Sequence, residues 1–421
     1  MLDRQLSTRT ECGMRAATSR PVLIVASESG GHRQNYVAVL GRWFSETGHS
    51  VIIACGPDTN EVPASQTPIL AQFLTKSGSG AIDLERDVVQ DPTRFRARLT
   101  QLETELNPAW TLLADGDGCV KALQGEWLRA SNQRRRAALF IYFTYEYPLD
   151  LRGLTFIGKL RPWARHLRQR YRQRRFFKQG VWSRLGLDLI LTTDENAVDA
   201  LSHSQVRHLP EIYRAWGSDI GPEPPEIGQA RLAYAEFLRC HPEKDVLLYY
   251  GRRVTRRGYD TLLALALEHP DTAFVSMGRA WPGDVPEVAE LWRQQLAAQD
   301  RLFELDLPFL PENGLVDDLF RSTRYVILPY QDFYGLSGSL FQAASYGCPV
   351  LVPDIGHMAA TVRRYGIGLT YRHLDLKHLR RQFDELRRNP ARFRDNALSF
   401  ARRADEKAVF AALAAIMRSD Q

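Results

Sequence analysis

Two short aliphatic runs, PVLIVAS (21–27) and DVLLYYG (245–251), do most to limit what this chain can fold into. Each is apolar at successive rather than alternate positions, so each fits a strand covered on both faces, as in a parallel sheet. Behind the first come Gly30-Gly31-His32, a helical pattern through Val37, Leu40, Trp43 and Phe44, a stop at Gly48-His49, and VIIAC (51–55). Strand, glycine turn, helix and strand make a βαβ unit. TLLA (111–114), ALFIYF (138–143) and DLILTT (188–193) extend the first set of strands. After the second run the pattern restarts, with a helix at 259–269 and strands FVSMG (274–278) and RYVILPY (324–330).

A chain of 421 residues is too long for one ordinary core and suits two domains of about 200 residues each. The expected division is a mobile leader over 1–20, a first doubly wound α/β domain over 21–216, and a Pro-, Gly- and acid-rich linker over 217–228. A second such domain follows over 229–390, opening with a helix near 229–240. An amphipathic helical segment over 391–421 packs back toward the first domain. Two parallel sheets in this order face each other across a cleft at their C-terminal strand edges, the expected place for a ligand.

Apolar residues make up 44% of the chain and charged residues 25%, a globular composition that excludes a disordered, collagen-like or disulfide-scaffold protein. The five cysteines form no C-x-x-C pair, which argues against a zinc knuckle or redox dithiol and fits a reducing compartment. No run is long enough to span a bilayer, and the first twenty residues lack an apolar signal core, so the expected location is the cytoplasm. Charge is concentrated: 152–184 holds 11 Lys and Arg and no Asp or Glu, while the rest of the chain is mildly acidic. A nucleic-acid binder spreads its basic residues along a groove, and none is expected here. Within 152–184, Leu160, Trp163, Leu167 and Tyr171 recur at helical spacing with arginines between them. That pattern fits a helix lying on an anionic membrane surface better than the alternative, a helix packing its aromatic face on the first domain.

Two stretches carry candidate chemistry. Gly251-Arg252-Arg253-Val254-Thr255-Arg256-Arg257-Gly258 joins a strand to a helix, so four guanidinium groups meet a helix N-terminus. Both suit phosphate oxygens, and a pyrophosphate clamp is the sharper reading against a merely solvated basic loop. Pro329 to Val350 runs from a strand end through a small-residue loop to a helix starting near Ser337-Gly338-Ser339 and ending at Gly347. Its serines can bind phosphate or simply cap the helix.

The pairing of GRRVTRRG with the small-residue loop and YGCPVLVPDIG (346–356) resembles the nucleotide-sugar domain of GT-B glycosyltransferases, nearest to the retaining family 4. The resemblance extends to LPENGLVDDLFRSTRYVILPY (310–330) and to SGGH…ETGHSV (29–51). It implies the GT-B fold and a donor site for a nucleotide diphosphate sugar, used as co-substrate with no cofactor and no bound metal. In that site Arg252 and Arg257 hold the diphosphate, aided by backbone groups of Ser337, Gly338 and Ser339 and by close approach at Gly30 and Gly31. Gln342 stands where the family binds ribose, and the base lies near Leu307 and Phe309. Tyr334 occupies the place of a family carboxylate, for which Asp332 is a nearby substitute and also an ordinary turn residue. Glu146 falls where the family carries a histidine.

His32, after the double glycine, is a general-base candidate like the histidine of inverting enzymes of the same fold. It equally suits a phosphate contact or a helix cap. His49 reads as structural, and so does His357, although the loop of His357 faces the cleft in this fold. Asp115 and Asp117 follow a strand and read as a turn or as acceptor contacts. The implied activity is hexose transfer to a glycan or lipid-linked acceptor, with retention, in cell-surface polysaccharide or glycolipid synthesis at the inner membrane face. The alternatives are an epimerase of the same fold and a catalytically silent membrane- or partner-binding protein.

Overall fold

The computed structural model describes residues 20–29, 32–58, 61–122, 135–140, 147–152, 160, 163–171, 174, 186–201, 205–212, 225–279, 285–306 and 314–419. The leader and most of the basic segment therefore lie outside the described residues.

The first domain is a seven-stranded parallel sheet. In chain order its strands are β1 (Val22–Ala26), β2 (Val51–Cys55), β3 (Gly80–Asp83), β4 (Trp110–Leu113), β5 (Arg135–Phe140), β6 (Leu189–Thr192) and β7 (Val206–His208). Their spatial order is β3-β2-β1-β4-β5-β6-β7, with Val22 in register with both Val51 and Trp110. All five residues of β1 are buried. Val22, Ile24 and Ala26 enter the core on one face, and Leu23 and Val25 the core on the other. That two-sided burial is why the run is apolar at every position. The order reverses between β1 and β4, and such a switch point opens a crevice beyond the C-terminal strand ends.

The second domain repeats the plan with β8 (Asp245–Tyr250), β9 (Thr272–Met277), β10 (Leu302–Leu305), β11 (Val326–Ile327), β12 (Val350–Pro353) and β13 (Gly368–Tyr371). Two parallel three-stranded ladders, β10-β9-β8 and β11-β12-β13, lie with β8 beside β11. Val246, Leu248, Val350 and Val352 share one core and Leu247, Tyr249 and Leu351 the other, so the ladders act as one layer.

The helix opening this domain runs Pro225–Cys240, four residues earlier than the linker reading allows. Proline is tolerated at that first helical position, where its missing N–H has no helical acceptor. The chain's last helices divide their packing. Arg394–Arg402 stays on the second domain, where Phe400 stacks on Phe341 at 4.9 Å. Glu406–Ser419 crosses over, placing Val409, Leu413 and Ile416 in the first domain's core, with Glu406 paired to Arg42 at 2.7 Å. No helix among the described residues is long and apolar enough to cross a membrane.

Candidate functional site

The loop after β8 folds back over the end of its own strand. Gly251 has φ 128°, and a Cβ there would lie 1.7 Å from Nη1 of Arg257. The Arg257 guanidinium thus rests on the Gly251 backbone, with its carbon 5.4 Å from the centre of the Tyr330 ring. Gly258, at φ 74°, lets the loop close against β11, since a Cβ would lie 2.4 Å from the Pro329 carbonyl oxygen. The Gln331 amide donates to the Arg256 carbonyl at 2.8 Å and completes the closure.

The four arginines of this loop separate by role. Arg253 is buried, and its guanidinium donates to Glu304 at 3.0 Å and to the Gly278 carbonyl at 3.1 Å, tying the loop to β9 and β10. Arg252 and Arg256 are exposed, and Arg257 is half-buried at the strand end. Alanine at 251 will therefore push the Arg257 side chain off its seat. We expect a stability loss of about 1–3 kcal/mol from the strained backbone, together with weakened nucleotide diphosphate binding. Thermal shift with and without UDP measures both effects.

Tyr330 links this loop to the next. Its hydroxyl lies 3.0 Å from Ser337 Oγ, which in turn accepts from the Ser339 amide at 3.2 Å and caps the helix Gly338–Ser345. Gln342, one turn along that helix, is 3% exposed, and its Nε2 has no partner. A buried amide donor without an acceptor is costly unless a ligand or water supplies one. Arg257, Ser337, Ser339 and Gln342 are thus gathered at one sheet edge, with Tyr330 joining them, a residue to which sequence reasoning gave no role. Asp332 is exposed in a left-handed turn at φ 49°, and its amide faces Nε2 of His373 at 3.4 Å.

In the first domain, Asp115 lies at the β1/β4 switch point, 1% exposed. It accepts from Ser27 Oγ at 2.5 Å, from the Gly118 amide at 3.1 Å, and pairs with Arg33 Nε at 3.0 Å. Arg33 also pairs with Glu28. The Asp115 carboxylate thus holds the turn and the first helix together. Asp117 is half-buried in the first turn of the helix Gly116–Ala122. His32 opens the helix His32–Glu46. Gly30, Gly31, Glu146, Leu307 and Phe309 lie outside the described residues. One turn after His32, Tyr36 donates to Glu211 just beyond β7, and burial pushes the Glu211 carboxyl above its usual range despite that bond. Nothing in the sequence marks Glu211, because its partner is 175 residues away.

The two domains meet through a polar network. The Asp150 carboxylate lies 2.5 Å from His373 Nδ1, and its amide donates to the Tyr334 hydroxyl at 2.9 Å. Arg152 reaches Asp354 at 2.6 Å. Burial opposes ionisation of Asp150, but bonds from Arg152 and His373 outweigh it and keep the carboxyl below the ordinary range. Tyr334, in the family's carboxylate position, is therefore engaged in bridging the domains.

Deeper in the interface, Tyr147 donates to both Asp194 oxygens at 2.9 and 2.8 Å and stacks on His357 at 5.9 Å. His357 is buried with Nε2 3.7 Å from Asp194, and burial holds its pKa below the ordinary histidine value despite that carboxylate. A depressed folded pKa favours the neutral ring. The stability it confers is present above the unfolded value of about 6.5 and is lost as pH falls through the folded one. His357→Gln will flatten the acid limb of the stability curve by at most about 1.4 kcal/mol per pH unit, read from urea midpoints at pH 7 and pH 5. An unchanged slope sinks this assignment. Among the described residues, no group of three or more His, Cys, Asp and Glu is placed to hold a metal ion.

No family model matches the chain, and no curated protein sequence matches it. Solved structures do. Sucrose-phosphate synthase from Thermosynechococcus elongatus is 14% identical over 95% of this chain and 99% of its own, with TM-score 0.62. HepE of Anabaena, solved with UDP, is 13% identical over 95% and 100%, with TM-score 0.62. UDP-GlcNAc 2-epimerase from Neisseria meningitidis, bound to UDP-GlcNAc, is 15% identical over 93% and 99%, with TM-score 0.52. The fold is GT-B. At these identities the likeness speaks for the architecture: two doubly wound domains whose strand ends face a common cleft.

Proposed function

We propose that the chain is a cytoplasmic glycosyltransferase, moving a hexose from a nucleotide diphosphate sugar to a glycan or lipid-linked acceptor with retention, in cell-surface polysaccharide or glycolipid synthesis. The observation that carries this is the seat of Arg257 on Gly251 and Tyr330, beside the capped helix start at Ser337 and the unpartnered amide of Gln342. Cleaving a sugar–phosphate bond builds negative charge on the departing diphosphate. A guanidinium held in place beforehand stabilises that charge without reorganising, and a helix N-terminus adds its dipole. Arg252, exposed on the same loop, would approach the phosphates from the solvent side, and Gln342 would meet the ribose hydroxyls. These groups take the charge that a metal would otherwise carry. Among the candidate bases and carboxylates, His32 stands at the start of the first helix and Glu211 is kept protonated to higher pH by burial.

A second reading is a nucleotide-sugar epimerase, favoured by the similarity to an epimerase of this fold. Thermal-shift screening over UDP, GDP and their sugars, followed by turnover with and without a lipid-linked acceptor, tests both. Acceptor-dependent release of the diphosphate supports transfer, and sugar isomerisation without acceptor supports the epimerase. A chain that binds no nucleotide diphosphate overturns both readings.

A further inference from the structure

The described part of the basic segment turns its apolar side outward. Leu160, Trp163, Leu167 and Tyr171 are 49%, 50%, 40% and 63% exposed, and the last three lie on a helix over 163–171. At 3.6 residues per turn the three side chains on that helix share an arc of about 80°. His166, outside that arc, is buried and faces the protein. A helix of a globular domain ordinarily does the reverse, packing its apolar stripe inward. Among the described residues, Trp163 and Tyr171 are the exposed large aromatic side chains. The intramolecular-packing reading of this helix thus fails on exposure.

Charge selects what covers the stripe. Arg165 and Arg168 are exposed on the same helix, and 152–184 as a whole carries 11 basic and no acidic residues. An outward arc of Leu, Trp and Tyr beside arginines matches the boundary of an anionic bilayer, where aromatic rings sit at headgroup depth and guanidinium groups meet lipid phosphates.

The segment is also tethered to the domain interface through its first residues. Asp150 and Arg152 belong to the domain interface through His373 and Asp354, and Leu160 follows Arg152 by eight residues, roughly 28 Å of chain at full extension. The geometry points to a docking face: the helix 163–171 seats the protein on an anionic membrane, with the cleft opening beside the lipid surface. The acceptor class this fits is an amphiphile held in that surface. That last step rests on the transferase reading; the docking itself does not.

The test is sedimentation of the full-length chain with vesicles of phosphatidylcholine alone or mixed with phosphatidylglycerol. Wild type is expected to pellet with the anionic vesicles and to be released by added salt. Arg165→Gln with Arg168→Gln should weaken partitioning by roughly 25-fold, about fivefold per basic side chain. Trp163→Ser, Leu167→Ser and Tyr171→Ser together should abolish it. Trp163 emission, isolated by difference against Trp163→Phe, should shift blue on vesicle addition. Because these side chains are exposed, both variants should keep the wild-type thermal midpoint and nucleotide-induced shift. Equal pelleting of wild type and either variant overturns the proposal. So does a wild-type dimer dissolved by the serine variant, or tighter binding to RNA than to anionic vesicles. A protein that pellets with vesicles but shows no nucleotide shift keeps the docking face and loses the donor site.

Discussion

Glu103→Leu is expected to destabilise the first domain by about 3–5 kcal/mol. Glu103 lies on the helix Pro92–Leu106, and its carboxylate is bound by Arg136 of β5 at 2.5 and 2.9 Å and by the Thr111 hydroxyl at 2.7 Å. The side chains of Arg136 and Glu103 are 2% and 1% exposed. Removing the carboxylate takes the buried counter-charge away from a guanidinium that water cannot reach, and that desolvation, more than the lost attraction, sets the size of the effect. The double variant Glu103→Leu with Arg136→Met removes both charges and should recover most of the loss. Urea unfolding followed by far-ultraviolet circular dichroism provides the comparison. A single variant as stable as wild type, or a double variant no better than the single, refutes this account of the pair.

That pair also marks where sequence reading stops. The inner strands were legible because two-sided burial makes β1 and the middle of β8 apolar at successive positions, a signal that is local, whereas the partly exposed edge strands β3, β7, β10 and β13 carry no such run. The loop from Gly251 to Gly258 was legible because its chemistry and its glycines are adjacent in the chain. What escaped is what forms between distant residues. Glu103 and Arg136 stand 33 residues apart with no local pattern to link them, yet they are buried against each other. Asp150 and His373 are 223 residues apart and meet only because the domains close on each other. Counting four arginines could not say that Arg253 is a strut bonded to Glu304 while Arg257 is seated at the sheet edge. Asp115, read as a turn or acceptor residue, holds the Gly118 amide and also fixes Arg33, a partner the sequence did not show. Pro225 was placed in the linker on composition, although proline is equally at home at a helix start.

The separation of roles among the arginines gives the sharpest test of the donor site. Arg257→Ala should weaken UDP or GDP binding by roughly 10- to 150-fold, the worth of a charge-assisted hydrogen bond or pair of them, about 1.5–3 kcal/mol. It should leave the thermal midpoint of the free protein nearly unchanged, because Arg257 is half-buried and rests on Tyr330 rather than on a carboxylate. Arg257→Lys keeps the charge and loses the planar fork, so its affinity should fall between the two. Arg253→Ala must show the opposite signature. Glu304 then keeps Arg293 and Tyr259 as its partners among the described residues, so stability drops first, and binding suffers as the loop loosens. Titration calorimetry of each variant against nucleotide diphosphate, beside its melting curve, resolves the two patterns. If Arg257→Ala binds as wild type does while Arg253→Ala alone loses affinity, the phosphates lie elsewhere in the cleft. The edge built from Gly251, Tyr330 and Ser337 is then a structural joint and not a donor site.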